Sequence, residues 1–185
     1  MSGEDLYNIC IQNGFGMGFN KSQALKHFTL AAAQLNKDEK VLLTFIGLHN
    51  LVSMSKHEYN YAYILTDKRI LMAQKKLIGE NIQTILWDNL NDITLSTSTL
   101  FAKLTFDTFK EKFNVGSGDK KAIKNVYTKV NEIFHELKAN HNKNNVVQQP
   151  KSDPYEDVKK AKELLDLGII SQAEFDQKKK ELLHL

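Results

Sequence analysis

Cysteine occurs once in the 185 residues, as Cys10, and arginine once, as Arg69, against 24 lysines. One thiol makes neither an internal disulfide nor a cysteine-built metal cage, which fits a reducing compartment. One guanidinium leaves a single side chain able to hold a carboxylate or phosphate by two parallel bonds. No long apolar run is present. The longest, near Val41 to Leu48, is interrupted by Thr44 and falls far short of the ~20 residues that span a bilayer. The opening Met-Ser-Gly-Glu-Asp is acidic and no hydrophobic signal segment follows it, so a soluble, cytoplasmic protein is expected. No internal repeat is visible. The six histidines form no His-Glu-x-x-His or i, i+4 pair, Cys10 has no histidine near it, and no Gly-x-Ser-x-Gly elbow occurs. No metal, no cofactor and no catalytic constellation are therefore expected.

What is present suffices for a folded protein: 42% of residues are hydrophobic and 9% aromatic, which argues against disorder of the whole chain. The excess of lysine, asparagine and isoleucine fits an AT-rich genome, as in low-GC Gram-positive bacteria and their phages. Residues 1–150 carry 18 basic and 14 acidic side chains, and 151–185 carry 7 and 8. That balance is too even for an electrostatic nucleic-acid footprint. The lysines of 120–129 are read as a solvated helix face.

Leu6, Ile9 and Cys10 predict a short first helix stopped by Asn13-Gly14, and Leu25, Phe28, Ala32 and Leu35 a second helix beginning after Asn20 or Ser22. From Lys40 the period changes to alternation. Strands are predicted at 41–46, 59–65, 70–73, 83–87, 92–96, 101–106 and 110–115, spaced as in a sandwich or small barrel. Tyr59, Tyr61, Tyr63 and Leu65 share one face of the second strand, a half-buried sheet face rather than a base-stacking ladder. Ile123, Val126, Tyr127, Val130, Ile133, Phe134 and Leu137 form a wide apolar stripe on a closing helix. The domain plan is thus a helical leader at 1–36, a β-domain at 37–138, a polar linker at 139–152 and a helical hairpin at 153–185.

The last segment is too short to fold alone. Gly168 supplies a left-handed stop for its first helix, and Ser171 and Glu174 form a capping box that starts its second. Val158, Ala161, Leu164 and Leu165 from the first helix and Phe175, Leu182 and Leu183 from the second form its expected contact surface, with Ile169 and Ile170 filling the corner.

Four stretches resemble two known families. Tyr61-Ala62-Tyr63-Ile64-Leu65-Thr66-Asp67-Lys68-Arg69-Ile70-Leu71 is similar to the β-hairpin of bacterial pleckstrin-homology-like domains. Ile85-Leu86-Trp87-Asp88-Asn89-Leu90-Asn91-Asp92-Ile93 resembles that family's Ile-Pro-Tyr-Asp strand, with Leu86-Trp87 where Pro-Tyr is common. Leu100 to Phe106 resembles the strand that follows. Leu164-Leu165-Asp166-Leu167-Gly168-Ile169-Ile170-Ser171-Gln172-Ala173-Glu174-Phe175 closely resembles the hallmark of the SHOCT (short C-terminal) domain. The resemblance implies an α+β fold: a bent seven-stranded sheet capped by one helix, then a separate hairpin associated with oligomerisation or partner docking. Neither family implies catalysis.

Three candidate sites remain. Thr66, Asp67 and Arg69 are read as the anchor of the hairpin turn, with Asp67 closing the bend onto the following backbone and Arg69 pairing with a nearby acid. The loop 49–57 lacks the clustered Lys/Arg that a polyanionic headgroup needs. Its Leu51, Val52 and Met54 either meet a partner or fold inward. Gly14-Phe15-Gly16-Met17-Gly18 lies between helices and lacks the Lys-Ser/Thr of a phosphate loop, so it is read as a turn. The expected function is a non-enzymatic interaction module whose hairpin assembles copies or engages a protein partner. Its rivals are an inhibitor of a host protein or nuclease encoded by a phage, and a binder of anionic membrane surfaces.

Overall fold

A computed structural model describes residues 1–15, 19–147 and 154–183, with the side chains of 141–157 and of 182–183 outside the described set. Helix α1 (Gly3–Gln12) starts at a capping box in which the Asp5 N–H donates to Ser2 Oγ and the Ser2 N–H donates to the Asp5 carboxylate. Helix α2 (Lys21–Ala32) starts at Asn20, whose side-chain oxygen accepts from the Gln23 N–H. The two helices approach closely at Gly3, where a Cβ would lie 2.6 Å from the Thr29 Cα.

Seven strands follow: β1 (Val41–His49), β2 (Asn60–Thr66), β3 (Arg69–Lys75), β4 (Glu80–Leu86), β5 (Leu90–Thr97), β6 (Ala102–Thr108) and β7 (Lys112–Ser117). They form one antiparallel sheet in the order β4-β3-β2-β1-β7-β6-β5. The α+β class read from the sequence is the class of the structure, with the seven strands in the one sheet that the resemblance implied. A tight corner joins β1 to β7 through only two residue pairs, Leu48 with Gly116 and His49 with Val115. Gly116 is required there, because a Cβ would sit 2.8 Å from the Ala102 carbonyl oxygen. Helix α3 (Lys120–Val147) closes the unit with the predicted stripe, burying Ile123, Val126, Val130 and Phe134.

The register shows why the central strands are buried throughout. Thr44, Ile64 and Leu71 lie side by side on β1, β2 and β3, as do Ile46, Ala62 and Ala73. The Thr44 hydroxyl donates to the Leu6 carbonyl at 2.8 Å, so this is the face that α1 and α2 cover. On the opposite face Phe45 stacks on Tyr63 with centroids 4.8 Å apart, and His49, Tyr61, Phe113 and Phe106 continue the aromatic column. Phe15 packs edge-on to Phe45, and Lys129 of α3 donates to Asn13 Oδ1 beside it.

Four expectations change. Tyr61 and Tyr63 are wholly buried rather than half-buried, because the bent sheet and α3 close over the face they share with Phe45. Tyr59 precedes the strand and is 74% exposed. Trp87 leaves β4 for a short 3-10 turn (Trp87–Asn89), and its indole N–H donates to the Thr66 carbonyl at 2.9 Å. The polar stretch from 139 is helical as far as Val147; extending a formed helix by one residue needs no new nucleus, and asparagine and lysine lower its stability only mildly. The remainder of that expected linker, 148–152, and Gly16–Gly18 lie outside the described residues.

Residues Met1–Ala139 form one compact unit and Asn140–Leu185 a second. The second holds α4 (Pro154–Asp166) and α5 (Gln172–Leu183), packed on each other as a hairpin. Deleting residues 1–36 uncovers Ile46, Ile64 and Leu71, each contributing about 1.5–3 kcal/mol of burial against a typical total stability of about 5–15 kcal/mol. The truncated protein should lose its cooperative thermal transition in near-ultraviolet circular dichroism; a transition unchanged from the full chain would show that the helices are dispensable.

Candidate functional site

The three turn residues come together around a fourth that the sequence did not single out. Glu39, just before β1, has a fully buried side chain. Arg69 Nε donates to its Oε1 at 2.7 Å and Nη2 to its Oε2 at 2.9 Å, and Nη2 also reaches the Gln34 carbonyl at the end of the helical pair. The Thr66 hydroxyl donates to Glu39 Oε1 and accepts from the Lys68 and Arg69 N–H groups. Thr66 therefore closes the bend. Asp67, expected to do so, instead accepts from the Lys40 N–H at 2.9 Å, because Val41 pairs with Thr66 and brings the start of β1 alongside the turn. Lys68 pairs with Asp38 at the rim. Every donor named here ends on a protein acceptor, so the cluster ties the turn to the helical pair rather than offering a bare cation to a ligand.

The C-terminal hairpin is the second candidate. Gly168 adopts φ +69°, its N–H donates to the Leu165 carbonyl, and the Ile169 N–H donates to the Leu164 carbonyl. These two bonds are the paired stop of a Schellman motif. The Ser171 N–H and hydroxyl both donate to Glu174 at 2.8 Å, which completes the capping box and holds the Glu174 carboxyl below its usual range. Ala161 is buried, and Val158, Leu164, Leu165, Ile170 and Phe175 are half-buried. Ile169, expected to fill the corner, is 64% exposed, beside Leu167 at 73%. Of two successive residues after a left-handed stop, only one can face the packed helices, and that one is Ile170. The side chains of Leu182 and Leu183 lie outside the described residues.

A third feature had no sequence signal, because three distant segments build it. A groove of about 860 Å³ is lined by Gln23, Lys26 and His27 of α2, by residues 57–61, and by Gln74 to Ile78 with Asn81. The His27 ring accepts from the Lys75 N–H at 2.8 Å, and burial, then Lys26, holds its pKa below the ordinary value. The Gln74 amide donates to the Glu58 carbonyl, and the Asn81 side chain meets the Tyr61 hydroxyl at 2.7 Å. At the rim stand Tyr59, Leu77 and Ile78, all exposed. The β1–β2 loop divides: Leu51 is buried against Gly116, while Val52 and Met54 stay exposed.

With this geometry in hand, a family model described as a bacterial PH domain matches residues 35–132. The chain belongs to the bacterial PH domain family. A second model, the short C-terminal domain, matches residues 156–183. Among solved structures, the Vps36 N-terminal PH domain is 18% identical, covering 51% of this chain and 86% of its own, with a TM-score of 0.36. The hSac2 domain from human phosphoinositide phosphatase Sac2 is 15% identical, covering 65% of this chain and 82% of its own, with a TM-score of 0.42. No curated protein matches.

The remaining reactive groups of this PH-domain protein are placed for structure. Burial pushes the Cys10 thiol up to about 12, and its sulfur contacts the Phe15 carbonyl. His49 is buried with Nδ1 2.6 Å from the Tyr63 hydroxyl, and burial holds its pKa below the ordinary 6.5. Among the described residues, no group of three or more His, Cys, Asp or Glu could hold a metal. No helix among them is long and apolar enough to cross a membrane.

The Arg69 bonds hold Glu39 at about 2, against burial, where its ordinary value is 4.5. A carboxyl lowered on folding stabilises fully above its unfolded pKa, and that stability is lost as pH falls through the folded value. Glu39→Gln should therefore destabilise by about 2–3 kcal/mol at neutral pH and flatten the stability profile between pH 4.5 and 2. Denaturant melts across that range check this. His49 acts earlier: lowered on folding, it withdraws stability as pH falls below 6.5.

Proposed function

We propose that the chain is a non-catalytic cytoplasmic binding module whose PH unit is the scaffold and whose C-terminal hairpin joins copies of the protein. PH and short C-terminal domains are interaction modules, and the single observation that carries the finer reading is the hairpin's apolar corner. Leu167 and Ile169 are held outward by the Gly168 stop and the Ser171–Glu174 cap, on a two-helix hairpin in which, among the described side chains, Ala161 alone is buried. A second copy fits the charge pattern. Residues 151–185 carry seven lysines and eight carboxylates, so like hairpins meet without net repulsion, and opposite charges can pair across the seam. A strongly acidic or basic partner would be matched by a hairpin of one sign. The contact surface expected from the sequence, Val158, Ala161, Leu164, Leu165, Ile169, Ile170, Phe175, Leu182 and Leu183, is extended by the exposed Leu167, with Thr66, Asp67 and Arg69 bracing the scaffold.

Burying side chains of this size stabilises by about 1.5–3 kcal/mol each, before ordering costs. Leu167→Asp with Ile169→Asp should leave the thermal transition of the PH unit unchanged and shift the mass by light scattering from a concentration-dependent oligomer to the monomer. A monomeric wild type at tens of micromolar (about the Kd such burial supports) would contradict self-assembly.

A further inference from the structure

Strand β4 ends the sheet order β4-β3-β2-β1-β7-β6-β5, so among the described residues no strand lies on its outer side. It pairs with β3 without a bulge, from Arg69 opposite Leu86 to Lys75 opposite Glu80. The bond from the Lys76 N–H to the Gly79 carbonyl sets the alternation of that ladder. Asn81, Gln83 and Ile85 turn their backbone groups inward to β3, whereas Glu80, Ile82, Thr84 and Leu86 turn theirs outward. Those four also share one face of the sheet. Thr84 lies opposite Leu71 and Ile82 opposite Ala73, on the face that α1 and α2 cover further in. At β4 the cover has ended: Thr84 is exposed, Ile82 is 38% exposed and Leu86 52%.

A free edge with an apolar strip is a template for another strand. Folded proteins blunt such edges with lysine, proline, a bulge or a very short strand. The seven residues of β4 have none of these. The chain holds 24 lysines, yet none falls between Lys76 and Lys103. The one charged side chain of the strand, Glu80, is already paired with Lys75 at 3.1 Å.

We propose that β4 pairs with β4 of a second copy, antiparallel, about a two-fold axis at Thr84. The strip is its own complement. From either end it reads aliphatic, threonine, aliphatic, so the axis sets Ile82 against Leu86 of the second copy and Thr84 against Thr84. Those pairs use the outward N–H and C=O groups of Ile82, Thr84 and Leu86 on both strands, and none of the paired side chains is charged. A strand of unrelated sequence gains nothing from that symmetry. Seven residues a side fall short of the about 20–30 of a stable interface, so the pairing is weak by itself. For its strength it rests on the reading that the C-terminal hairpin joins copies, which raises the local concentration of one β4 around another.

The test is cross-linking of the full chain carrying Thr84→Cys with a short bis-maleimide, beside Thr94→Cys on the opposite edge strand β5. Both positions are exposed. The native thiol, Cys10, is buried and its pKa is pushed up to about 12, so it stays unreactive. Thr84→Cys should form covalent dimer at least about tenfold faster than Thr94→Cys. Adding Ile82→Lys should slow it about tenfold while the mass by light scattering and the thermal midpoint stay unchanged. Cross-linking no faster at Thr84 than at Thr94, or unaffected by Ile82→Lys, overturns the strand pairing whatever the mass. A monomeric wild type in which Thr84→Cys still cross-links faster removes the hairpin reading and leaves the strand pairing standing.

Discussion

Strand β2 has no solvent face, and much of the structure follows from that. Every side chain from Tyr61 to Leu65 is buried, although successive residues of a strand point to opposite sides. Two covers are therefore required. The bent sheet and α3 supply one, closing over the aromatic column of Phe45, Tyr63 and His49. Helices α1 and α2 supply the other, seated on Thr44, Ile64 and Leu71. The Glu39–Arg69 pair lies where the chain passes from the helical pair into the sheet. Its bond to the Gln34 carbonyl makes helix and turn one piece. The N-terminal segment is thus part of the core of the PH unit rather than an appendage.

That constraint also decides where function can sit. The faces of the central strands are used up, Cys10 and His49 are buried, and Arg69 is committed to Glu39. Exposed aliphatic side chains then sit at ends and tips, among them the β3–β4 turn with its groove and the corner of the C-terminal hairpin. The two lie in separate compact units. Both present aliphatic side chains on tight, well-bonded turns, Leu77 and Ile78 on one and Leu167 and Ile169 on the other. In each, a left-handed glycine makes the bend and frees its neighbours from any role in closing it.

The strands, the stripe on α3 and the Gly168-to-Glu174 corner were legible in the sequence, because each rests on spacing or on residues adjacent in the chain. Double-sided burial was not. Tyr61-Ala62-Tyr63-Ile64-Leu65 is apolar on both sides, and alternation of one apolar residue with another does not tell one covered face from two. Glu39 was missed because its partners lie 27 and 30 positions away, with nothing local to mark an acid before a strand as buried. Ser2 and Asp5 formed a capping pattern that went unread, a signal that was present. The groove draws on α2, the β1–β2 loop and the β3–β4 hairpin, and no periodicity links those three segments. The helical continuation to Val147 was hidden by composition: polar residues without a stripe look like a linker even where the helix runs on.

Amide hydrogen exchange on the intact protein tests the shared core most directly. If α1 and α2 are one cover of β2, the amides of Leu6 to Cys10 and Ala24 to Ala31 should open with the same free energy as those of Tyr61 to Leu65, in a single global event. Exchange of the two helices at a free energy several kcal/mol lower, with β2 still protected, would contradict the account and make them a detachable leader.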